Sequence, residues 1–354
     1  RPGYQVTFIS TKPSPAGTQV GTTQEGDSLK HAQQWIAASY GNSIEEAMMK
    51  FTVRSPRYAY LEHNRIIVFG VELSKQGTSE LVDYLLRKRE LRLRNYIVVA
   101  DKDSMHVLSA MPEFESTFAQ EIVSIIERGS YDSNYLSYTL LNNFAGEMVT
   151  SGQDPWAPVL SVIKADERKT EKPKIAPIIN RAAIFREDRL AGILDNDETQ
   201  AFYIMKNLSH TGSVKSWTNE GKVLQMTYNE AKVKRRLVKK EDKASVHYEV
   251  NIKGLLHETN EKKELTTQKL DEYETAFEEE VKKNIYRMID SCRNKGSDVL
   301  GIGRFIHSRD KKLWDSYKSD WYRYYSEIPI NVDVKVDIMG NENTIKIISP
   351  NKEG

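Results

Sequence analysis

Apolar and polar positions along the chain fall into runs with the period of a helix and runs with the period of a strand. The most informative stretch is 43–101. Ile44, Ala47, Met48 and Phe51 share one helical face. Ser43, with Glu46 three residues on, forms a capping box at its start. Arg65–Gly70 (RIIVFG) is short, apolar and rich in β-branched residues, which predicts a strand covered on both faces. Gly77 and Ser79 interrupt the pattern, and Leu81, Val82, Leu85 and Leu86 restart a helical stripe. Asn95–Ala100 (NYIVVA) predicts a second buried strand. Together these runs make one β-α-β unit, and periodicity alone attaches no chemistry to it.

The rest of the chain gives further elements. Tyr4, Val6 and Phe8 alternate as in a strand. Residues 10–30, with Pro13, Pro15, Gly17, Gly21 and Gly26, predict a loop. Residues 29–39 fit either a weak helix or a strand edge. Ser104 is placed to cap a helix carrying Val107, Leu108 and Met111, which Pro112 ends. Phe114, Phe118, Ile122, Ile125 and Ile126 form a helical stripe, and another helix is predicted from Ser133 through Leu141 to Gly146. From about Ser151 to Pro177, Pro155, Pro158, Pro173, Pro177 and the charged run Lys164–Lys172 predict a linker with a short strand, Val159–Ile163, inside it. Ala182–Phe185 and Leu190–Leu194 predict a hairpin, and Asp195 with Glu198 a second capping box.

The last third holds strand candidates Leu224–Val233 and Val246–Ile252, and a long helix at about 267–293. On that helix Leu270, Tyr273, Phe277, Val281, Ile285, Met288 and Cys292 keep one stripe, with a stop at Gly296. In 328–338, Ile330, Val332, Val334, Val336 and Ile338 alternate with polar residues, the cleanest strand pattern in the chain. The fold class expected is α+β with three domains, each a mixed or antiparallel sheet flanked by helices. The divisions are 1–150, containing the unit 43–101; 151–210, a linker with a small hairpin-helix domain; and 211–354, containing helix 267–293 and strand 328–338.

Composition narrows the functional classes. The 354 residues are 39% hydrophobic and 29% charged, enough chain for a sizeable core under a polar surface. With 51 basic and 50 acidic residues the net charge is +1, so bulk electrostatics give no reason to expect nucleic acid. Cys292 is the single cysteine, which excludes an internal disulfide and a cysteine-built zinc site. No apolar run reaches the roughly 18–20 residues that cross a bilayer.

Candidate chemistry is sparse. Gly301-Ile302-Gly303 lacks the third glycine of a phosphate loop and follows a helix, so a tight turn is the expected role. Glu62-His63 leads into a strand, and the other histidines have no metal-ligand spacing. No nucleophile elbow or zinc-protease helix motif is present. Arg87, Lys88, Arg89, Arg92 and Arg94, with Glu90 among them, cluster at a helix end. They complement the helix dipole and pair with residues such as Asp83, or they form a face for anionic headgroups or an acidic partner. Lys232–Arg236 reads as a charged strand edge. Tyr317, Trp321, Tyr322, Tyr324 and Tyr325 form an aromatic patch whose spacing places at least half in the core, with partner contact the alternative for any exposed remainder. No catalytic, cofactor-binding or metal-binding residue is nominated, and no cofactor is expected.

Three separated blocks carry a resemblance. The first contains His63-Asn64-Arg65-Ile66-Ile67-Val68-Phe69-Gly70 and the helix residues Asp83, Arg87, Glu90 and Arg92. The second is Ala183, Phe185, Leu190, Gly192, Leu194, Glu198 and Thr199. The third is Asp298, Gly301 and Gly303, then Trp314, Trp321 and the strand Ile328–Ile338. In this order they resemble the Ger(x)C family, the C-subunit lipoproteins of spore nutrient germinant receptors. Asn42-Ser43 departs from the Lys/Asp-Thr more usual there, and Arg181 or Ala182 stands where the family has glycine.

The resemblance implies a non-enzymatic receptor subunit in spore germination. It would act by protein–protein contacts on the outer face of the spore inner membrane. The implied partners are two integral-membrane subunits, a transporter-like one and a larger one. It implies membrane attachment through an N-terminal lipid anchor absent from this chain, which then reads as the ectodomain without its leader. The competing expectation is a solute-binding lipoprotein that holds a small nutrient in an interdomain cleft.

Overall fold

The computed structural model describes residues 3–11, 34–55, 61–110, 112, 114–132, 136–164, 175–209, 211–240, 243–259 and 266–339. Among these the fold is α+β, with three sheets. The first is a pair: β1 (Tyr4–Thr11) runs antiparallel to β2 (Gln34–Gly41), and α1 (Ile44–Arg54) packs on both. Phe51 of α1 stacks on Phe8 at 3.9 Å and tilts against Trp35 at 5.4 Å. The ambiguous stretch before Ser43 is therefore a strand. Most of the loop expected at 10–30 lies outside the described residues. The Ser43 hydroxyl caps Glu46 as expected, but the Glu46 carboxylate takes the amide of Asn42 rather than that of Ser43.

The second sheet contains β3 (Ile66–Phe69), β4 (Tyr96–Ala100), β5 (Thr139–Leu140), β6 (Trp156–Lys164), β7 (Ile175–Arg186) and β8 (Arg189–Ile193). The order is β3-β4-β6-β7-β8, with β5 beside the start of β4. The β-α-β unit is present: β3 and β4 are parallel, and α2 (Val71–Gln76) and α3 (Ser79–Arg87) make the crossover. The break at Gly77 has φ 134°, a backbone that needs glycine. Both faces of β3 meet apolar clusters, but Ile66, Ile67 and Val68 stay half-buried because β3 is the edge strand. α4 (Ser104–Leu108) is capped by Asp103 rather than by Ser104. α5 (Phe118–Asp132) begins later than the stripe from Phe114. The helix expected from Ser133 starts only at Leu141, as α6 (Leu141–Val149). Pairing of Thr139 and Leu140 with β4 holds the preceding residues extended.

The stretch expected to be a linker is corrected by β6 and β7, which are long strands inside this sheet. Residues 165–174 lie outside the described part. Pro158 and Pro177 fit strands because each sits where its strand has one neighbour only. Pro158 pairs with β7, but β4 reaches β6 only at Val159 and Leu160. Pro177 pairs with β6, but β8 reaches only Ala183–Arg186. A missing N–H costs little on an open edge. Residues 156–193 thus complete the sheet begun by β3 rather than forming a layer of their own.

The third sheet has the order β12-β11-β10-β9. Its strands are β9 (Gly212–Trp217), β10 (Val223–Lys240), β11 (Lys243–Thr259) and β12 (Ile330–Ile338). α7 (Asn196–Met205) precedes it, with the full Asp195/Glu198 capping box in place. α8 (Thr267–Asn294) lies along it and ends at Gly296, φ 63°. α9 (Ile302–Arg309), α10 (Lys311–Tyr317) and α11 (Trp321–Glu327) follow. The outer edge of β12 is closed by α8 side chains. Glu274 accepts the Ile338 amide at 2.8 Å, Glu278 the Val336 amide at 3.0 Å, and the Tyr286 hydroxyl the Val332 amide at 3.2 Å. Helix positions four apart thereby match alternate strand residues.

Strands β6 and β7 join the second sheet to the third. Trp156, Ala182 and Ile184 point into the largest core cluster, with α7, α8 and the third sheet. Their neighbours Ala157, Ala183 and Phe185 point into the cluster around Phe69 and Phe144. Strand alternation therefore gives each sheet a share of the same two strands.

Candidate functional site

The densest polar construction is buried at that junction. Asp298 follows the turn that ends α8 and has no exposed surface. Its Oδ1 accepts the Ile302 amide at 2.8 Å. Its Oδ2 accepts the Gly303 amide at 2.8 Å and the Trp321 indole N–H at 3.2 Å. The side chain thus satisfies the first turn of α9 from outside, while Gly301 enters that helix at φ 66°. Asp154, between α6 and β6, is also buried. Its amide donates to the Asp298 carbonyl at 3.0 Å, and its Oδ2 accepts the Asp298 amide at 2.6 Å. Its Oδ1 accepts the Glu187 amide at 2.7 Å and the Tyr322 hydroxyl at 2.8 Å.

Neighbouring contacts tighten this seam. The Ser297 hydroxyl donates to the Phe185 carbonyl at 2.5 Å, and the Arg304 amide to the Gly152 carbonyl at 2.8 Å. A Cβ on Gly303 would lie 2.7 Å from the Gly152 Cα and 2.8 Å from the Trp314 and Trp321 rings. Arg186 lies over the Tyr322 ring at 4.2 Å. Burial pushes the Asp298 carboxyl up to about 8, against the downward pull of its N–H donors. Burial also raises Asp154. The seam fastens 152–154, 185–187 and 297–303 together, and its carboxyl oxygens are occupied by backbone amides and by the Trp321 and Tyr322 side chains.

The other predicted residues are scattered. Cys292 is buried beside Met288, and burial pushes its thiol up, away from reactivity. His63 ends a short 3₁₀ turn ahead of β3 and is exposed. Among the described residues no group of three or more His, Cys, Asp or Glu is arranged to hold a metal. Arg87 pairs with Asp83 at 3.0 Å and Lys88 with Glu45 at 3.2 Å, while Arg89, Arg92 and Arg94 are exposed. Within Lys232–Arg236, Arg235 turns inward over the Phe305 ring at 4.4 Å and donates to the Leu300 carbonyl. That run lies where β10 has no β9 neighbour, an edge as expected. The aromatic patch faces largely inward, in line with its spacing: Trp321 and Tyr325 are buried, and Tyr317, Tyr322 and Tyr324 half-buried.

Asp154 escaped sequence reasoning because it sits in the proline-bearing stretch. Asp298 was visible only as part of a motif. Its signal was an acidic residue four and five positions before two backbone amides that open a helix.

A second feature is a cleft of about 810 Å³ between β1 with α1 on one side and β3 with α2 and α3 on the other. Successive residues of both strands, Tyr4–Ile9 and Ile66–Val68, line it, so it runs along two strand edges that are unpaired among the described residues. Glu45, Tyr84 and Lys88 bridge α1 to α3. The Tyr84 hydroxyl donates to Glu45 at 2.5 Å and, with Lys88, holds that carboxyl below its usual range.

These features define a multi-sheet α+β protein whose halves are locked by two buried carboxylates. Residues 1–162 match the family described as "Spore germination protein N-terminal domain". Residues 180–342 match "Spore germination B3/ GerAC like, C-terminal". The chain belongs to the Ger(x)C family, the C subunits of spore germination receptors. It is similar to spore germination protein KC of Bacillus subtilis (strain 168), 23% identical over 343 residues, covering 91% of this chain and 82% of that one. It is equally similar to spore germination protein B3 of the same organism, 23% over 342 residues, covering 95% and 86%. The crystal structure of the GerBC protein superposes with a TM-score of 0.59 at 18% identity, over 96% of this chain and 94% of that one. That likeness bears on the fold.

Proposed function

We propose that this chain is a non-enzymatic subunit of a nutrient germinant receptor, acting by protein–protein contacts on the outer face of the spore inner membrane. A lipid anchor N-terminal to the chain would hold it there, beside a transporter-like and a larger integral-membrane subunit. The observation that carries this reading is the match of both family models, in order, along the two halves of the chain. The seam supports it physically. A subunit that relays or braces contacts needs its parts to move together, and the Asp154–Asp298 exchange ties the second sheet to the third. The test is an in-frame deletion in the native host. Nutrient-triggered loss of optical density should slow and return on complementation; an unchanged response to every nutrient the host germinates on would refute the proposal.

The cleft favours a second reading, that the chain itself holds a small nutrient. Its lining mixes apolar residues such as Ile44, Met48 and Phe118 with Gln76, Glu80 and Lys102. Nutrient-dependent thermal stabilisation of the purified chain would support it, and the absence of any shift would remove it.

A further inference from the structure

The loop between α3 and β4 is held by buried anchors and backbone hydrogen bonds, and it is basic and apolar at once. Leu91 and Asn95 are buried and anchor it. The Leu91 amide donates to the Lys88 carbonyl at 3.0 Å, the Asn95 amide to the Arg92 carbonyl at 3.1 Å, and the Asn142 amide to the Leu93 carbonyl at 3.0 Å. The last turn of α3 and this loop together project Arg87, Arg89, Arg92 and Arg94, with Leu86 at 43% and Leu93 at 47% exposure and the half-buried Glu90 among them. Arg87 has Asp83 as a partner, whereas Arg89, Arg92 and Arg94 have no ion pair among the described residues. Tyr138, 42% exposed, stands beside this loop: its ring meets Tyr96, the first residue of β4, at 5.5 Å.

Isolated exposed leucines need no explanation, and neither does a lone arginine. Here both types share one short stretch, from the last turn of α3 into the loop, with a tyrosine at its flank. Arginines attract an anionic surface, leucines enter the acyl boundary, and tyrosine prefers the interface between them. The paired and half-buried lysine, Lys88, is instead used inside the protein, on Glu45. We propose that this loop is a membrane-contact surface that seats the chain on an anionic phospholipid bilayer. It deepens the membrane location proposed above by naming the face that meets the lipid. An acidic protein partner would be attracted by the arginines but would not need acyl chains.

The test uses the purified chain, without any anchor, and sedimentation with phosphatidylcholine vesicles made with or without phosphatidylglycerol. Binding should require phosphatidylglycerol and weaken as salt rises. Each of Arg89→Ser, Arg92→Ser and Arg94→Ser should cost about fivefold in partition, and the triple variant on the order of a hundredfold. Leu93→Cys, labelled with an environment-sensitive fluorophore, should shift to the blue on anionic vesicles. Cys292 is buried and its thiol pushed up, so label goes to position 93. No binding, equal binding to neutral vesicles, or an unshifted label each overturns the proposal. Such a failure leaves the receptor reading standing, because that is tested in spores.

Discussion

Asp154 and Asp298 hold each other's backbone: the Asp298 amide donates to Asp154 Oδ2 at 2.6 Å, and the Asp154 amide donates back to the Asp298 carbonyl at 3.0 Å. One residue enters β6 of the second sheet and the other opens the turn to α9. The exchange is thus a covalent-free splice between the two halves. Removing either carboxylate leaves buried N–H groups without acceptors, which costs more than the bond itself contributes.

Asp298→Asn should destabilise the chain by about 3 kcal/mol, because its amide group presents donors to the Gly303 and Trp321 N–H groups. The folded protein holds the Asp298 proton up to about pH 8, against 3.8 ordinarily. The folded state therefore binds that proton more tightly than the unfolded one. The stability it contributes is full below about pH 4 and is lost as pH rises toward 8. Melting temperatures from pH 4 to 8 should fall with this slope in the wild type and fall less steeply in Asp298→Asn, where only the raised Asp154 still contributes in this sense.

Gly303→Ala tests the close approach at the same seam. The new methyl would meet the Gly152 backbone at 2.7 Å and two tryptophan rings at 2.8 Å. Backbone on one side and buried rings on the other leave little room to give. A loss of about 3 kcal/mol in urea unfolding is expected, and a neutral substitution would show that α9 can shift.

Glu278→Ala should open the edge of β12. The Val336 amide loses its acceptor at 3.0 Å, and the expected cost is about 1–2 kcal/mol. Glu278→Gln keeps an oxygen there and should cost less. Hydrogen exchange of the Val336 amide should speed up in the alanine variant, with the Ile338 amide, held by Glu274, changing less.

Cys292 should resist thiol reagents in the folded chain, because it is buried and burial raises its thiol. Modification should appear only with global unfolding in urea. Fast reaction in buffer would contradict its place in the core.

Much of the fold was legible where local pattern and tertiary demand agree. The stripe from Leu270 to Cys292 became α8, and the alternation Ile330–Ile338 became β12, because each buries one face along its whole length. Asp195 and Glu198 formed their box because a cap is settled within four residues. The failures lie where distant pairing decides. Thr139 and Leu140 carry no strand signal of their own, and β4 holds them extended. Pro158 and Pro177 argued for a linker, and only the sheet order shows that each faces an open edge. The seam was half legible. Asp298 stood in a recognisable motif, but its partner Asp154 lies 144 positions away, and no local spacing connects the two.

The most direct measurement is capture of the full-length precursor, tagged in its native sporulating host, from the spore inner-membrane fraction. Mass spectrometry would then identify its mature N-terminus and its companions. An acylated N-terminal cysteine should be found, and two integral-membrane receptor subunits should be recovered with it. A soluble, unacylated protein recovered alone would contradict the receptor reading.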